Sequence, residues 1–376
     1  MLDLAARLGM RAGGYVEPNP MVGAVIVRAG VVLGMGHHRQ FGGLHAEREA
    51  LADCRKRGND PRGATIYVTL EPCKHFGKQP PCTDALIEAG VARVVYARAD
   101  PAEVSGGGAE VLRQRGIMCE LNEESRLAIA ISDPFVKRLK TGLPWVIAKW
   151  AQTIDGRIAT RTGESKWISG EASRRRVHRL RARVDAILTG IGTVLADDPL
   201  LTARGVKVRR VAARVVVDAG ARLPLESALV KTVGEAPTIV ACTEADSPDA
   251  TARQSALAAR NVRIITIPEV QRPTGERGVD LRALLLHLAR DFGVATVMIE
   301  AGPRLLGSFF EGDLVDEAVV HVAGMLIGDE QAKSAAAGRV VPRLADARRF
   351  TLQRVRPVAG DVELVYRRAK IAVTRQ

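Results

Sequence analysis

The chain has 376 residues, 47% of them hydrophobic, with five cysteines and a formal net charge of +13. That length fits two domains, and with no apolar run of about 18 residues no membrane-spanning helix is expected. Five cysteines are too few for a disulfide framework and 4% aromatic residues too few for a base-stacking platform; the positive charge, most of it in residues 146–376, is therefore not read as a nucleic-acid footprint.

Met1 to Gly9 reads as an amphipathic helix without the cationic start, continuous apolar stretch and cleavage site of a signal peptide, so the expected location is the cytoplasm. Met21–Val27 and Val31–Leu33, around Arg28-Ala29-Gly30, predict a hairpin. A helix is expected from His45 to Arg57, a buried strand over Thr65–Thr69, a second helix from Cys82 to Ala89 stopped by Gly90, and a strand over Val91–Ala97. Lys140 to Pro144 is the expected boundary between domains 1–143 and 144–376. Beyond it the pattern predicts strands at Trp145–Trp150, Ala186–Thr189, Arg214–Asp218, Thr238–Ala241, Val262–Ile267, Thr296–Glu300 and Ala318–Val322. Helices are expected near 170–183, 251–260, 281–292 and 304–311, with surface loops at Asp246–Asp249 and Pro268–Gly278. Both halves therefore read as α/β domains.

His45, Cys73 and Cys82 offer one imidazole and two thiols, and Glu47 a separate carboxylate. Three protein ligands with a free fourth position define a catalytic zinc site, and a nucleobase deaminase pairs such a His/Cys/Cys metal with a glutamate that moves protons. Two residues apart on a regular helix means about 200° of rotation, so His45 and Glu47 share a site only at a helix start. Cys82 also opens a predicted helix, whose dipole favours a thiolate. A structural zinc site, which takes four ligands, and chance are the competing readings. His75 is assigned to the pocket wall or solvent, His37 and His38 to a loop at its mouth, and Cys54, Cys119 and Cys242 to buried apolar positions.

In the second half no Gly-x-Gly-x-x-Gly occurs. The strand Thr296–Glu300 instead runs into Ala301-Gly302-Pro303-Arg304-Leu305-Leu306-Gly307, a turn and helix start suited to phosphate, or an ordinary strand-to-helix turn.

The motifs His45-Ala46-Glu47, Thr69-Leu70-Glu71-Pro72-Cys73, Gly77-Lys78-Gln79-Pro80-Pro81-Cys82 and Pro18-Asn19-Pro20-Met21-Val22-Gly23-Ala24 resemble the bifunctional riboflavin-biosynthesis deaminase–reductases. So do Asp155-Gly156-Arg157-Ile158-Ala159, Gly163-Glu164-Ser165-Lys166-Trp167-Ile168, Gly192-Thr193 through Thr202, and Glu300-Ala301-Gly302-Pro303. The resemblance implies a cytidine-deaminase-like three-layer domain followed by a dihydrofolate-reductase-like α/β domain. It implies Zn2+ on His45, Cys73 and Cys82, with Glu47 as proton shuttle, and NADPH as hydride donor. It carries cofactor contacts onto Ala151, Trp167, Thr193, Asp197, Gly302, Pro303, Arg304, Leu305, Leu306, Gly307 and Ser308. Substrate contacts fall on Asn19, Lys78, Ser165, Arg181, Leu201, Arg204 and Glu300, and Asp197 assists proton delivery. The partner it implies is a small pyrimidine nucleotide, acted on by a homo-oligomer. The bland alternatives are a rim aromatic for Trp167, a solvated basic helix for Arg181 and a turn cap for Asp197. Three departures stand out: Gln79 where the family has Thr, Ala102-Glu103 where it has Asn-Pro, and Ile131-Ser132 where it has Leu-Asn. The missing loop Asn is a missing substrate contact. A chain with one working half, or a deaminase of RNA, are the competing functions.

Overall fold

The structure is a computed structural model that describes residues 1–271, 275, 277–339 and 341–369. Two compact units, Met1–Leu143 and Pro144–Gln376, divide the chain. The first runs α1 (Leu2–Gly9), β1 (Gly23–Arg28), β2 (Val31–His37), α2 (Ala46–Lys56), β3 (Thr65–Val68), α3 (Cys82–Glu88), β4 (Arg93–Tyr96), α4 (Gly108–Gln114), β5 (Met118–Leu121), α5 (Arg126–Ala130) and α6 (Asp133–Thr141). Its sheet has the order β2-β1-β3-β4-β5, antiparallel as far as β3 and parallel beyond.

Alternation along the strands decides the layers, because successive side chains face opposite ways. Ala24, Ile26, Ile66, Val68 and Val94 pack with Ala50 and Leu51 of α2, Leu86 of α3 and Leu112 of α4. On the other face Val25 and Val27 meet Ala5 and Leu8 of α1, while Val95 joins Leu2, Ala6 and Ala128. Helices on both faces of one sheet make three layers.

The hairpin turn is Ala29-Gly30, both at positive φ (50° and 80°), the conformation that suits a two-residue link. The second strand extends past the expected Leu33 to His37, so His37 is a strand residue; His38 is buried rather than at a loop mouth. The expectation failed at Gly34 and Gly36, which interrupt the apolar pattern. A Cβ at Gly34 would lie 2.5 Å from Ala50 O, and one at Gly36 2.4 Å from Ala50 N, so α2 lies directly on the strand backbone.

The second unit runs β6 (Trp145–Gln152), β7 (Arg157–Ala159), α7 (Glu171–Arg181), β8 (Ala186–Gly190), α8 (Ile191–Asp197), β9 (Ala213–Val217), α9 (Ala228–Lys231), β10 (Thr238–Cys242), α10 (Pro248–Ala259) and β11 (Arg263–Thr266). It continues with β12 (Glu269–Gln271), β13 (Arg277–Val279), α11 (Leu281–Asp291), β14 (Thr296–Ile299), α12 (Pro303–Glu311), β15 (Glu317–Ala323), β16 (Lys333–Ser334), β17 (Phe350–Val358) and β18 (Asp361–Arg368). Nine strands lie in the order β11-β10-β9-β8-β14-β6-β15-β18-β17, parallel except where β18 pairs with β15 and β17. One face carries Ile147, Ile187, Val216, Val240 and Met298 with Val177 and Leu180 of α7. The alternate positions Val146, Leu188, Val215, Val297 and Ile299 are buried too, so the sheet is covered on both sides.

Two expected loops are partly regular. Asp246 and Ser247 lead into α10, where Ser247 Oγ accepts the Ala250 amide at 3.3 Å and Pro248 takes the first helical position. Within Pro268–Gly278, Glu269–Gln271 pairs antiparallel with Arg277–Val279; residues 272–274 and 276 of that stretch lie outside the described residues. Cys54 and Cys242 are buried as expected, whereas Cys119 is only half-buried.

Candidate active sites

In the first unit the chain ends β3 at Val68 and drops Cys73 into a loop beside two helix starts. His45 is the N-cap of α2 in extended conformation, and Cys82 is the first residue of α3. His45 Nδ1 lies 3.4 Å from Cys73 Sγ and 3.3 Å from Cys82 Sγ, and the three donor atoms all fall within 4.8 Å of one another. Tetrahedral zinc with bonds of about 2.0 Å to nitrogen and 2.3 Å to sulfur needs its donors roughly 3.5 Å apart. The donor set therefore fits zinc in both chemistry and spacing, and three ligands leave a fourth position open.

The same geometry sets the electrostatics. A hydrogen bond with Cys82 drives the Cys73 thiol down to about 4 against its burial, with help from His45. Cys82, bonded to that thiolate and buried, is pushed up. One thiol takes the charge and the other keeps its proton, an arrangement that a cation would complete. Glu47, the second residue of α2, is 4% exposed. Burial and the Cys73 charge raise its carboxyl to about 7, where it can both take and give a proton.

Around this cluster the other expected residues sort themselves. Asn19 Nδ2 is 3.4 Å from His38 Nε2, and the His38 ring stands edge-on to that of His45 with centroids 5.5 Å apart. Lys78 is exposed, its ammonium 3.8 Å from the Phe41 ring centroid, and Gln79 Nε2 donates to Gly42 O at 3.2 Å. His75 is half-buried and outside the ligand cluster. The altered loop is firmly tied. Buried Glu71 accepts the amides of Asp100 at 3.0 Å and Ala109 at 2.9 Å, and Asp100 accepts Ala102 N at 3.0 Å and Ser105 Oγ at 2.6 Å.

In the second unit a cleft of about 1270 Å³ opens at the carboxyl ends of β6, β14, β8 and β9. The chain runs outward from β8 to β11 and then returns to insert β14 between β8 and β6. Such a reversal leaves a crevice beyond the strand ends, the usual ligand position in parallel sheets. Ala151, Ser165, Trp167, Arg181, Thr193, Asp197, Leu201, Arg204, Glu300, Gly302, Pro303, Arg304 and Leu305 all line it. Leu306, Gly307 and Ser308 do not. Leu306 is fully buried, and Gly307 is glycine because a Cβ there would lie 1.8 Å from Ala337 O.

Arg181 is neither on a solvated face nor an open phosphate clamp. Its Nε and Nη2 donate to the two Glu300 oxygens at 2.5 and 2.9 Å, and its side chain is 13% exposed. Arg204 is the exposed cation at that end, its Nη1 donating to Thr202 Oγ1 at 3.0 Å. Lys149, unforeseen from the sequence, projects from β6 into the cleft with its ammonium 3.8 Å from Glu300. Burial lowers its pKa and Glu300 offsets that in part. Burial opposes the Glu300 charge, but Arg181 and Lys149 hold that carboxyl down to about 2.

Gly302 is the N-cap of α12, and its amide donates to Thr193 Oγ1 at 3.1 Å. Pro303 takes the first helical position, and the start of a helix is where backbone amides and the helix dipole can meet an anion. Trp167 is 66% exposed with the Arg174 guanidinium 4.6 Å from its ring centroid, a rim aromatic rather than a core one. Asp197 closes α8, 3.9 Å from Lys166 Nζ; its neighbour Asp198 accepts the Ala228 amide at the start of α9 through Oδ1 at 2.8 Å.

Comparison with known proteins gives the family of both units. Residues 1–98 match the cytidine and deoxycytidylate deaminase zinc-binding region, and residues 144–364 match the RibD C-terminal domain. The chain is 38% identical over 372 residues to riboflavin biosynthesis protein RibD of Escherichia coli K12, covering 95% of this chain and 96% of that one. It is 38% identical over 329 residues to RibD of Aquifex aeolicus, covering 87% of each. Among solved structures, Acinetobacter baumannii RibD superposes with a TM-score of 0.77 at 33% identity over 98% of both chains. A Thermotoga maritima diaminohydroxyphosphoribosylaminopyrimidine deaminase/5-amino-6-(5-phosphoribosylamino)uracil reductase gives 0.79 at 31% identity, over 98% of this chain and 97% of that one. The chain belongs to the RibD family, the bifunctional deaminase–reductases of riboflavin biosynthesis, with a zinc-binding deaminase region followed by a reductase domain.

Proposed function

We propose that residues 1–143 hydrolytically deaminate 2,5-diamino-6-ribosylamino-4(3H)-pyrimidinone 5′-phosphate, and that residues 144–376 then reduce the ribosyl chain of the product to ribityl. The meeting of His45, Cys73, Cys82 and Glu47 at two helix starts carries the first assignment. His45, Cys73 and Cys82 would hold a zinc ion, which when bound would supply Lewis acidity that lowers the pKa of water toward neutrality. Glu47 takes the water's proton and returns it to the departing amine, a task suited to a carboxyl near 7. Asn19 and Lys78 hold the substrate. Asp100, pinned by Glu71, keeps the neighbouring loop in register where the family's Asn is missing.

NADPH supplies the hydride in the second step. The α12 start, with Gly302, Pro303, Arg304 and Leu305, binds its phosphates, and Ala151, Trp167 and Thr193 line its path. Arg204, Ser165 and Leu201 bind the substrate, with Glu300 oriented by Arg181. Lys149 and Asp197 are the two candidate proton donors to the opening ribosyl group. The enzyme acts in the cytoplasm as a homo-oligomer on a small nucleotide, without nucleic acid or membrane; among the described residues no helix is long and apolar enough to cross a bilayer.

Glu47→Gln keeps the shape and removes the proton carrier. Ammonia release from the diaminopyrimidine phosphate is expected to fall by about 100-fold or more, while NADPH oxidation on supplied deaminated intermediate stays unchanged. Equal loss of both would overturn the assignment of one reaction to each unit.

A further inference from the structure

The cleft continues beyond the residues assigned above. It reaches Val217 and Ala219 at the end of β9, and Arg222 lines it there. The strand order β9-β8-β14-β6 sets the direction in which a dinucleotide lies. Neighbouring strands are spaced by about 4.8 Å, so the end of β9 is roughly 10 Å from that of β14, which leads into α12. With its pyrophosphate at the α12 start and its reactive ring toward β6, a dinucleotide extends its adenosine toward β9.

The side chains that meet the adenine ribose tell the two nicotinamide cofactors apart. A carboxylate there accepts a ribose hydroxyl, whereas an arginine accommodates a ribose phosphate. Here Asp218 directly follows β9, but its side chain is 0% exposed and out of reach of a ligand. Its Oδ1 lies 3.5 Å from Arg222 Nε instead. The Arg222 side chain is 62% exposed, and among the described residues its terminal amines make no hydrogen bond. Of the other cations that line the cleft, Arg181 and Lys149 are committed to Glu300, Arg174 to Ser169 O and the Trp167 ring, Lys166 to Asp197, Arg204 to Thr202 Oγ1 and Arg277 to Glu269.

We propose that Arg222 reads the 2′-phosphate on the adenine ribose of the cofactor and thereby sets the preference for NADPH over NADH, with Asp218 as the positioning residue that aims its guanidinium. The assignment rests on the reading of this cleft as the cofactor site. A guanidinium fork matches phosphate oxygens, whereas the ribose hydroxyl of NADH offers it no charge. Buried Asp218 anchors the Nε side, which leaves the two terminal amines for the anion.

The test is equilibrium binding to the full chain, by calorimetry, of NADPH, NADH, adenosine 2′,5′-bisphosphate and AMP. Arg222→Ala is expected to weaken NADPH and the bisphosphate by about tenfold or more while NADH and AMP change by less than about twofold. Arg222→Lys, which keeps charge but not the fork, falls between. Asp218→Asn narrows the ratio of NADPH to NADH affinity, which a merely structural carboxylate would leave alone. Equal weakening of both dinucleotides, or no change in either, overturns the assignment. Wild-type protein that binds neither dinucleotide nor the bisphosphate overturns the cofactor reading of the cleft and this assignment together, a result distinct from the other two.

Discussion

Lys149 and Asp197 divide a question that residue identity alone does not decide. Asp197 was legible from its motif, but its side chain is 34% exposed at the cleft rim beside Lys166. Lys149 has no motif, being one lysine in an apolar strand, yet burial beside Glu300 makes it a better proton donor near neutrality. A lysine whose pKa is lowered donates its proton more readily, and it loses that proton as pH rises through the lowered value. Reductase turnover is therefore expected to fall with rising pH at a limb below the ordinary lysine value of about 10.4. Lys149→Met should abolish most turnover with cofactor binding retained, whereas Asp197→Asn should cost less. A pH profile with the same alkaline limb in Lys149→Met would return the donor role to Asp197. The arginines teach the same lesson: Arg181, Arg204 and Arg214 look alike in sequence. One is locked on Glu300, one is exposed, and one is fully buried, its Nη2 donating to four carbonyl and hydroxyl oxygens and its Nη1 to two more.

At the scale of elements, the zinc cluster depends on where α2 begins, and α2 is located by two glycines in β2. Gly36→Ala puts a methyl 2.4 Å from Ala50 N and 2.6 Å from Glu49, contacts that only a shift of the helix relieves. Overpacking of this kind costs about 1–3 kcal/mol. The shift carries the N-cap His45 away from the thiols, so the variant should melt earlier and hold less zinc per chain. Gly234→Ala, with nothing within 4 Å, is the control. Normal melting and full zinc content in Gly36→Ala would disconnect β2 packing from the metal centre. These glycines also mark how far the sequence could be read. Apolar runs such as Thr65–Val68 and Thr296–Ile299 were legible because β-branched residues dominate them. The start of α10 was hidden by a Ser-Pro that resembles a loop, and the long hairpin of β17 and β18 by charged residues on an exposed strand. His45, Glu47, Cys73 and Cys82 could be found because metal chemistry restricts residue type as well as spacing. Cleft residues such as Lys149 and Arg222 could not, because only strand order brings them to one wall.

For the whole molecule, the net charge of +13 is the property most open to misreading. A basic protein invites a nucleic-acid partner. The described cleft gives the charge another use: Lys149, Lys166, Arg174, Arg181, Arg204 and Arg222 line it against Asp197, Asp198 and Glu300. Its proposed ligands carry phosphates, and a concave wall of one sign raises their local concentration. Screening shortens that reach to about 8 Å at physiological ionic strength. Raising salt should therefore raise KM for NADPH and for the phosphorylated pyrimidine while leaving kcat nearly constant, because the field acts on encounter and binding and the chemistry is carried by buried groups. An RNA competitor should leave ammonia release untouched at every salt concentration. Salt-sensitive inhibition by RNA, or ammonia released from RNA itself, would instead assign the charge to a polynucleotide and reopen the substrate of the first unit.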